Sequence, residues 1–159
     1  MKQKKLWITF VLFIALCFII EIVGSIWTKE TVSTWYPTLV KPSWTPPNWL
    51  FGPVWTCLYI MIAISGWLIY KTEDSRQRSI ALALYGCQLA LNFSWSFLFY
   101  SLGNPALGLI DIILLCFLII LTIINSWPVR RLASILLIPY LVWVMYATSL
   151  NAAIWLLNR

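Results

Sequence analysis

The chain contains no histidine and only five acidic residues among 159. The first absence removes the usual general base and the usual axial haem ligand. No Ser-His-Asp set can be assembled, and none of the six glycines builds a phosphate-binding loop. Conventional hydrolytic and phosphoryl-transfer chemistry is therefore not expected, nor is a metal site or a resident cofactor. The four cysteines (Cys17, Cys57, Cys87, Cys116) include no Cys-x-x-Cys pair. They read as small apolar residues in helix packing rather than as redox or metal ligands.

Charge is scarce as well. Charged residues make up 10% of the chain, well below the ~25% of soluble domains. Against this, 62% is hydrophobic and the mean hydropathy is +0.86. Five apolar segments stand out, at about 6–27, 49–70, 79–100, 105–126 and 131–156. Each is long enough to cross a hydrocarbon core of ~30 Å at ~1.5 Å per residue. The expected fold is an all-α integral membrane bundle of five transmembrane helices forming a single domain over 1–159. Glu21 inside the first apolar run, with no Ala-x-Ala-like site after it, argues for a retained helix rather than a cleaved signal.

The net charge of +6 follows the topology. Lys2, Lys4, Lys5, Lys71, Arg76, Arg78, Arg130 and Arg131 flank the spans on one side; Lys29, Lys41 and Arg159 lie on the other. The positive-inside rule puts the N-terminus in the cytoplasm, and helical spans make the plasma membrane the default. Basic residues scattered in short flanks give no nucleic-acid surface.

What is abundant is tryptophan and proline. The segment WYPTLVKPSWTPPNWLFGPVWTCLY, Trp35 to Tyr59, holds four of the eleven tryptophans and five of the eight prolines. Proline fixes φ, removes an amide donor and pushes the preceding residue out of the helical region. Trp35 to Asn48 is therefore expected to be an ordered, non-helical lid between helices one and two, and its flat aromatic groups suit a flat apolar ligand. Pro53 falls either at the first turn of span two or at a slight kink, while Pro139 lies inside span five. Asn104-Pro105 reads as a cap followed by the first helical residue.

Polar residues within the spans form stripes. Gln88, Asn92, Trp95 and Ser96 share one face of span three; Tyr140, Trp143, Ala147, Asn151 and Ile154 share one face of span five. Such amides serve either as interhelical hydrogen bonds or as donors lining a pocket. Glu21 and Asp111 are intramembrane carboxylates, with a functional or an interfacial role each open. Most tryptophans lie near span ends, as an aromatic belt does; Trp55, Trp95 and Trp143 lie deeper, where packing competes with ligand contact.

Three segments carry a resemblance: Trp35–Tyr59, QLALNFSWSFLF at Gln88–Phe99, and PYLVWVMYATSLNAAIWLLN at Pro139–Asn158. In this order, with Asp111 early in span four, the chain resembles bacterial members of the tryptophan-rich sensory protein family, relatives of the mitochondrial translocator protein (peripheral benzodiazepine receptor). The resemblance implies five helices around an apolar pocket capped by the first loop, and a homodimer. It implies binding of porphyrins such as protoporphyrin IX and of isoquinoline carboxamides, and light- and oxygen-dependent porphyrin breakdown. The two tryptophans implicated in that breakdown fall on Trp55 and Trp143. Trp35, Pro42, Trp44, Asn92, Trp95 and Ala147 would line the rest of the site. Without histidine, a tetrapyrrole would be held by stacking and hydrogen bonds rather than by iron ligation. One departure concerns the cholesterol-recognition pattern of the mitochondrial relatives: no basic residue follows Tyr146 within five positions, so cholesterol transport does not carry over. The alternative reading is a small proton-coupled secondary transporter using Glu21. Glu21→Gln separates the two, since transport collapses if the chain is such a transporter and porphyrin affinity barely changes if it is a porphyrin receptor.

Overall fold

The computed structural model describes residues 2–159. Met1 lies outside the described residues, and of Lys2 and Gln3 only the backbone is described, so the Lys2 share of the charge asymmetry lies outside the described side chains. Five helices run α1 Lys2–Val32, α2 Asn48–Tyr70, α3 Arg76–Ser96, α4 Pro105–Ser126 and α5 Arg131–Leu157. All five are long and apolar enough to cross a membrane. The fold is the expected all-helical bundle, with no strand among the described residues.

Local chemistry sets the helix ends. The Ser75 side chain accepts from the Arg78 amide at 3.1 Å, and Asn104 Oδ1 accepts from the Ala106 and Leu107 amides, each at 3.1 Å, with Pro105 at the first helical position. Arg78 donates through Nε and Nη2 to the Tyr70 carbonyl at 3.0 and 2.8 Å, closing the C-terminal end of α2, and pairs with Asp74 at 2.7 Å. Helix α2 starts at Asn48, which places Pro53 inside the helix rather than in its first turn.

Two segments depart from the sequence expectation. Helix α3 does not run as an α-helix to residue 100: Phe97–Ser101 is a turn of π-helix, with the Leu102 amide donating to the Phe97 carbonyl at 3.0 Å. The wider turn buries Phe99 under Trp95, rings stacked at 5.1 Å and 18°. The loop from α1 to α2 is not wholly non-helical, because Tyr36–Thr38 forms one 3₁₀ turn with Pro37 at its second position.

Around the bundle the helices follow the order α1, α2, α5, α4, α3, with α3 returning against α1. Helix α1 is the most lightly packed: Cys17 and Ile20 are buried, while Ile8, Val11, Leu12, Ile19, Ile22 and Ile26 face outward, as lipid-exposed side chains do. Where α2 meets α1 and α3, Gly66 allows close approach. A Cβ there would lie 2.4 Å from Tyr85 Cζ and 2.8 Å from Phe13 Cε1, whereas a Cβ on Gly86 meets nothing within 4 Å. Gly66→Ala is therefore expected to destabilise the bundle by about 1–3 kcal/mol. In a chain of this size that lowers Tm by roughly 2–10 °C. Thermal unfolding in nonionic detergent checks this, with Gly86→Ala expected to melt at or slightly above wild type.

Candidate functional site

At the end of the bundle that carries the α1–α2 loop, the helices part around a cavity of about 370 Å³. That volume lies within the range of small-molecule sites. Helical spacing explains its walls. Glu21, Gly24, Ser25, Thr28 and Lys29 come from one face of α1, and Asn48, Phe51, Gly52, Trp55 and Tyr59 from one face of α2. Asn92, Trp95 and Ser96 come from α3, Ile112 and Leu115 from α4, and Trp143, Val144 and Ala147 from α5; Tyr36 and Tyr100 also reach the wall. Burial pushes the Tyr36 phenol, in the loop, above its ordinary value, so it stays a neutral hydroxyl at physiological pH.

The aromatic groups are in mutual contact. Trp55 lies 5.6 Å from Tyr59 and 6.3 Å from Tyr140 between ring centroids; Trp143 lies 5.8 Å from Phe51 and 5.7 Å from Tyr146. Tilted and edge-on packing of this kind fixes ring planes better than aliphatic contact does.

Polar groups divide between those engaged in the bundle and those left free. Asn92 Oδ1 accepts from the Tyr59 hydroxyl at 2.5 Å, and Asn92 Nδ2 donates to the Tyr140 hydroxyl at 2.9 Å, joining α3 to α2 and α5. Asn151 Oδ1 accepts from Trp95 Nε1 at 3.1 Å while its Nδ2 donates to the Pro105 carbonyl at 2.7 Å. Of the two roles open to these amides, interhelical bonding is the one observed. Asp111 Oδ1 accepts from Ser94 at 2.6 Å, a link between α3 and α4 off the cavity wall. Gln88 is buried with neither amide atom partnered and does not reach the cavity. On the wall itself two buried atoms have no partner: Trp143 Nε1 and Glu21 Oε2.

Of the residues singled out from sequence, the structure brings Trp55, Trp143, Asn92, Trp95 and Ala147 together on the wall. It leaves Trp35, Pro42 and Trp44 off it. The loop uses these residues to anchor itself. The Trp35 indole lies against Gly103, whose φ of +56° suits a glycine, and meets the Phe99 ring at 5.8 Å. Pro42 is buried away from the cavity, and Trp44 is 55% exposed while its carbonyl accepts from the Tyr146 hydroxyl at 2.7 Å. The Asn158 side chain pairs with both backbone groups of Val40, at 2.9 Å each. Sequence reasoning did not assign Tyr36, Tyr59, Thr28 or Lys29 to the site. Tyr59 lies four residues after Trp55, and Thr28 seven after Glu21, so helical spacing from two flagged residues would have found both.

The sequence profile of the TspO/MBR family matches residues 13–156. The chain belongs to this family. It is 48% identical over 138 residues to the tryptophan-rich protein TspO of Archaeoglobus fulgidus, covering 85% of this chain and 87% of that one. It is 42% identical over 157 residues to the protein of the same name in Chlorobaculum tepidum, covering 98% and 99%. With the human translocator protein it shares 36% identity over 135 residues, covering 84% of this chain and 80% of the human one. This chain is thus an integral membrane member of a family whose relatives are named as translocator and sensory proteins.

Replacing Asn92 with leucine strands the Tyr59 and Tyr140 hydroxyls inside the bundle. The expected cost is about 1–3 kcal/mol for each group left unpaired. It should appear as a lowered Tm in detergent with helical content retained at room temperature.

Proposed function

We propose that this chain is a membrane receptor for porphyrins that promotes their light- and oxygen-dependent breakdown through Trp55 and Trp143. The observation that carries this reading is the cavity wall itself: the indoles of Trp55, Trp95 and Trp143 surround one apolar space, and Trp143 keeps a buried, unpartnered N–H. A porphyrin offers two large π-faces for those rings. Its propionates are suited to Lys29, exposed on the wall nearest the loop, and to the Trp143 N–H. The same donor suits the carbonyl of an isoquinoline carboxamide. The homodimer, the plasma membrane and the cytoplasmic N-terminus belong to this proposal; the flanking basic residues support the orientation.

The chemistry asks for no acid–base residue. Light excites the bound porphyrin, which takes one electron from the indole of Trp55 or Trp143 and leaves an indole radical cation. The reduced porphyrin passes that electron to dioxygen, giving superoxide beside the macrocycle. A porphyrin electron then refills the indole radical cation. The porphyrin radical cation so formed combines with the superoxide, so that dioxygen is the net oxidant of the macrocycle and the tryptophan is restored. Walls that exclude water keep the oxidant and the porphyrin together. Proton-coupled transport through Glu21 has less support, since Glu21 Oε1 is held by the Thr56 hydroxyl and a single five-helix chain is not an obvious inverted repeat.

The test is a titration of purified protein with protoporphyrin IX in the dark, read by tryptophan quenching, followed by illumination of the same samples in air. Wild type should show saturable quenching and conversion of the porphyrin to a new product. Trp55→Phe with Trp143→Phe should weaken binding by roughly 2–10-fold, the scale of one or two aromatic contacts, and should remove the light-dependent conversion. Unchanged binding and unchanged bleaching in the double variant would contradict the assignment of both tryptophans.

A further inference from the structure

A porphyrin accounts for the indoles and for Lys29 but not for Glu21. Its propionates repel a carboxylate, and its ring N–H groups point into the centre of the macrocycle, out of reach of a wall. Yet Glu21 belongs to the cavity wall, with Oε1 accepting from the Thr56 hydroxyl at 2.5 Å and Oε2 buried without a partner. The Thr56 bond ties the carboxylate of α1 to α2 and leaves the second oxygen as an acceptor. Among the described residues the only other charged one on the wall is Lys29, two turns further along α1 and exposed. Eight residues of helix place the two about 12 Å apart along α1, and no ion pair joins them among the described residues. The same wall presents Trp55, Tyr59 and Trp95. A carboxylate acceptor beside aromatic faces in an apolar enclosure is the chemistry that holds an organic cation.

We propose that this cavity has a second ligand class, flat aromatic amines that are protonated at neutral pH, with the N–H of the cation on Glu21 Oε2 and the ring system among the indoles. The inference rests on the cavity being a ligand site, and not on the ligand being a porphyrin. Thr56 is a positioning residue in it, acting through Glu21.

The test compares three probes on protein purified in dodecyl maltoside at pH 8: 9-aminoacridine, which is cationic there; acridine, a ring system of the same size that is uncharged there; and protoporphyrin IX. Wild type should bind 9-aminoacridine at least about 10-fold more tightly than acridine, the scale of one charge-assisted hydrogen bond. Glu21→Gln, which keeps the shape and removes the charge, should erase that preference, with acridine and protoporphyrin IX changing by less than about 2-fold. Thr56→Val should weaken 9-aminoacridine selectively and by less, which preserves a test if Glu21→Gln does not fold. Equal affinity of wild type for the two acridines would overturn the proposal. So would a parallel loss of all three probes in Glu21→Gln, which would mark Glu21 as a brace between α1 and α2 only. If protoporphyrin IX fails to bind while the Glu21-dependent preference persists, the porphyrin reading falls and the cation site stands.

Discussion

Asn92 joins three helices at one point, its carbonyl oxygen accepting from the Tyr59 hydroxyl of α2 and its amide nitrogen donating a hydrogen bond to the Tyr140 hydroxyl of α5. In a bilayer a buried hydroxyl or amide has no water to turn to, so each of these groups needs a partner within the bundle. The joint sets the separation of α2, α3 and α5 where the cavity begins, and Trp55 packs directly on both tyrosines. Asn151 does similar work, holding the Trp95 indole and the first residue of α4. With the amides so engaged, specificity on the wall passes to the two buried atoms left over, the Trp143 N–H and the Glu21 oxygen. A largely apolar pocket whose buried wall leaves one neutral donor and one acidic oxygen unpartnered, with Lys29 at its exposed end, has a narrow choice of ligands.

The loop between α1 and α2 answers the same constraint differently. Its prolines cannot donate, and its backbone needs acceptors and donors from elsewhere. They come from the far end of the chain, through Asn158 on Val40 and Tyr146 on Trp44, and from Lys41, which donates to the Tyr36 and Leu39 carbonyls at 2.9 and 3.1 Å. Trp35 and Trp44 therefore act on the loop's own position, while Tyr36 is the loop aromatic that reaches the cavity. Anchoring the loop and lining the cavity thus fall to neighbouring residues.

Much of this was legible in the sequence, for a physical reason. Length and apolarity decide a transmembrane span without help from tertiary structure, so α2, α4 and α5 begin and end within a residue or so of where hydropathy put them. The faces of α3 and α5 were legible too, since helical spacing alone puts Asn92 with Trp95 and Trp143 with Ala147. What remained hidden depends on partners distant in sequence. Whether Asn92 binds a ligand or a tyrosine depends on Tyr59 and Tyr140, 33 and 48 residues away. Trp35, Pro42 and Trp44 looked like ligand contacts because aromatic and rigid residues serve binding and loop anchoring equally well. The π turn at Phe97–Ser101 leaves no hydropathy signal, because it changes the pitch of the helix and not its composition.

The central claim is that the space between α1, α2, α3 and α5 is where a ligand sits. Gly52 lies on its wall, and a Cβ there would meet no atom within 4 Å. Gly52→Phe therefore adds bulk at the cavity wall from a position whose Cβ has open space around it. The most direct measurement is protoporphyrin IX binding to this variant alongside its Tm. The account predicts that saturable quenching is lost while Tm stays at or above that of wild type. Undiminished binding in a folded Gly52→Phe protein would contradict it, and would move the ligand to another surface of the bundle.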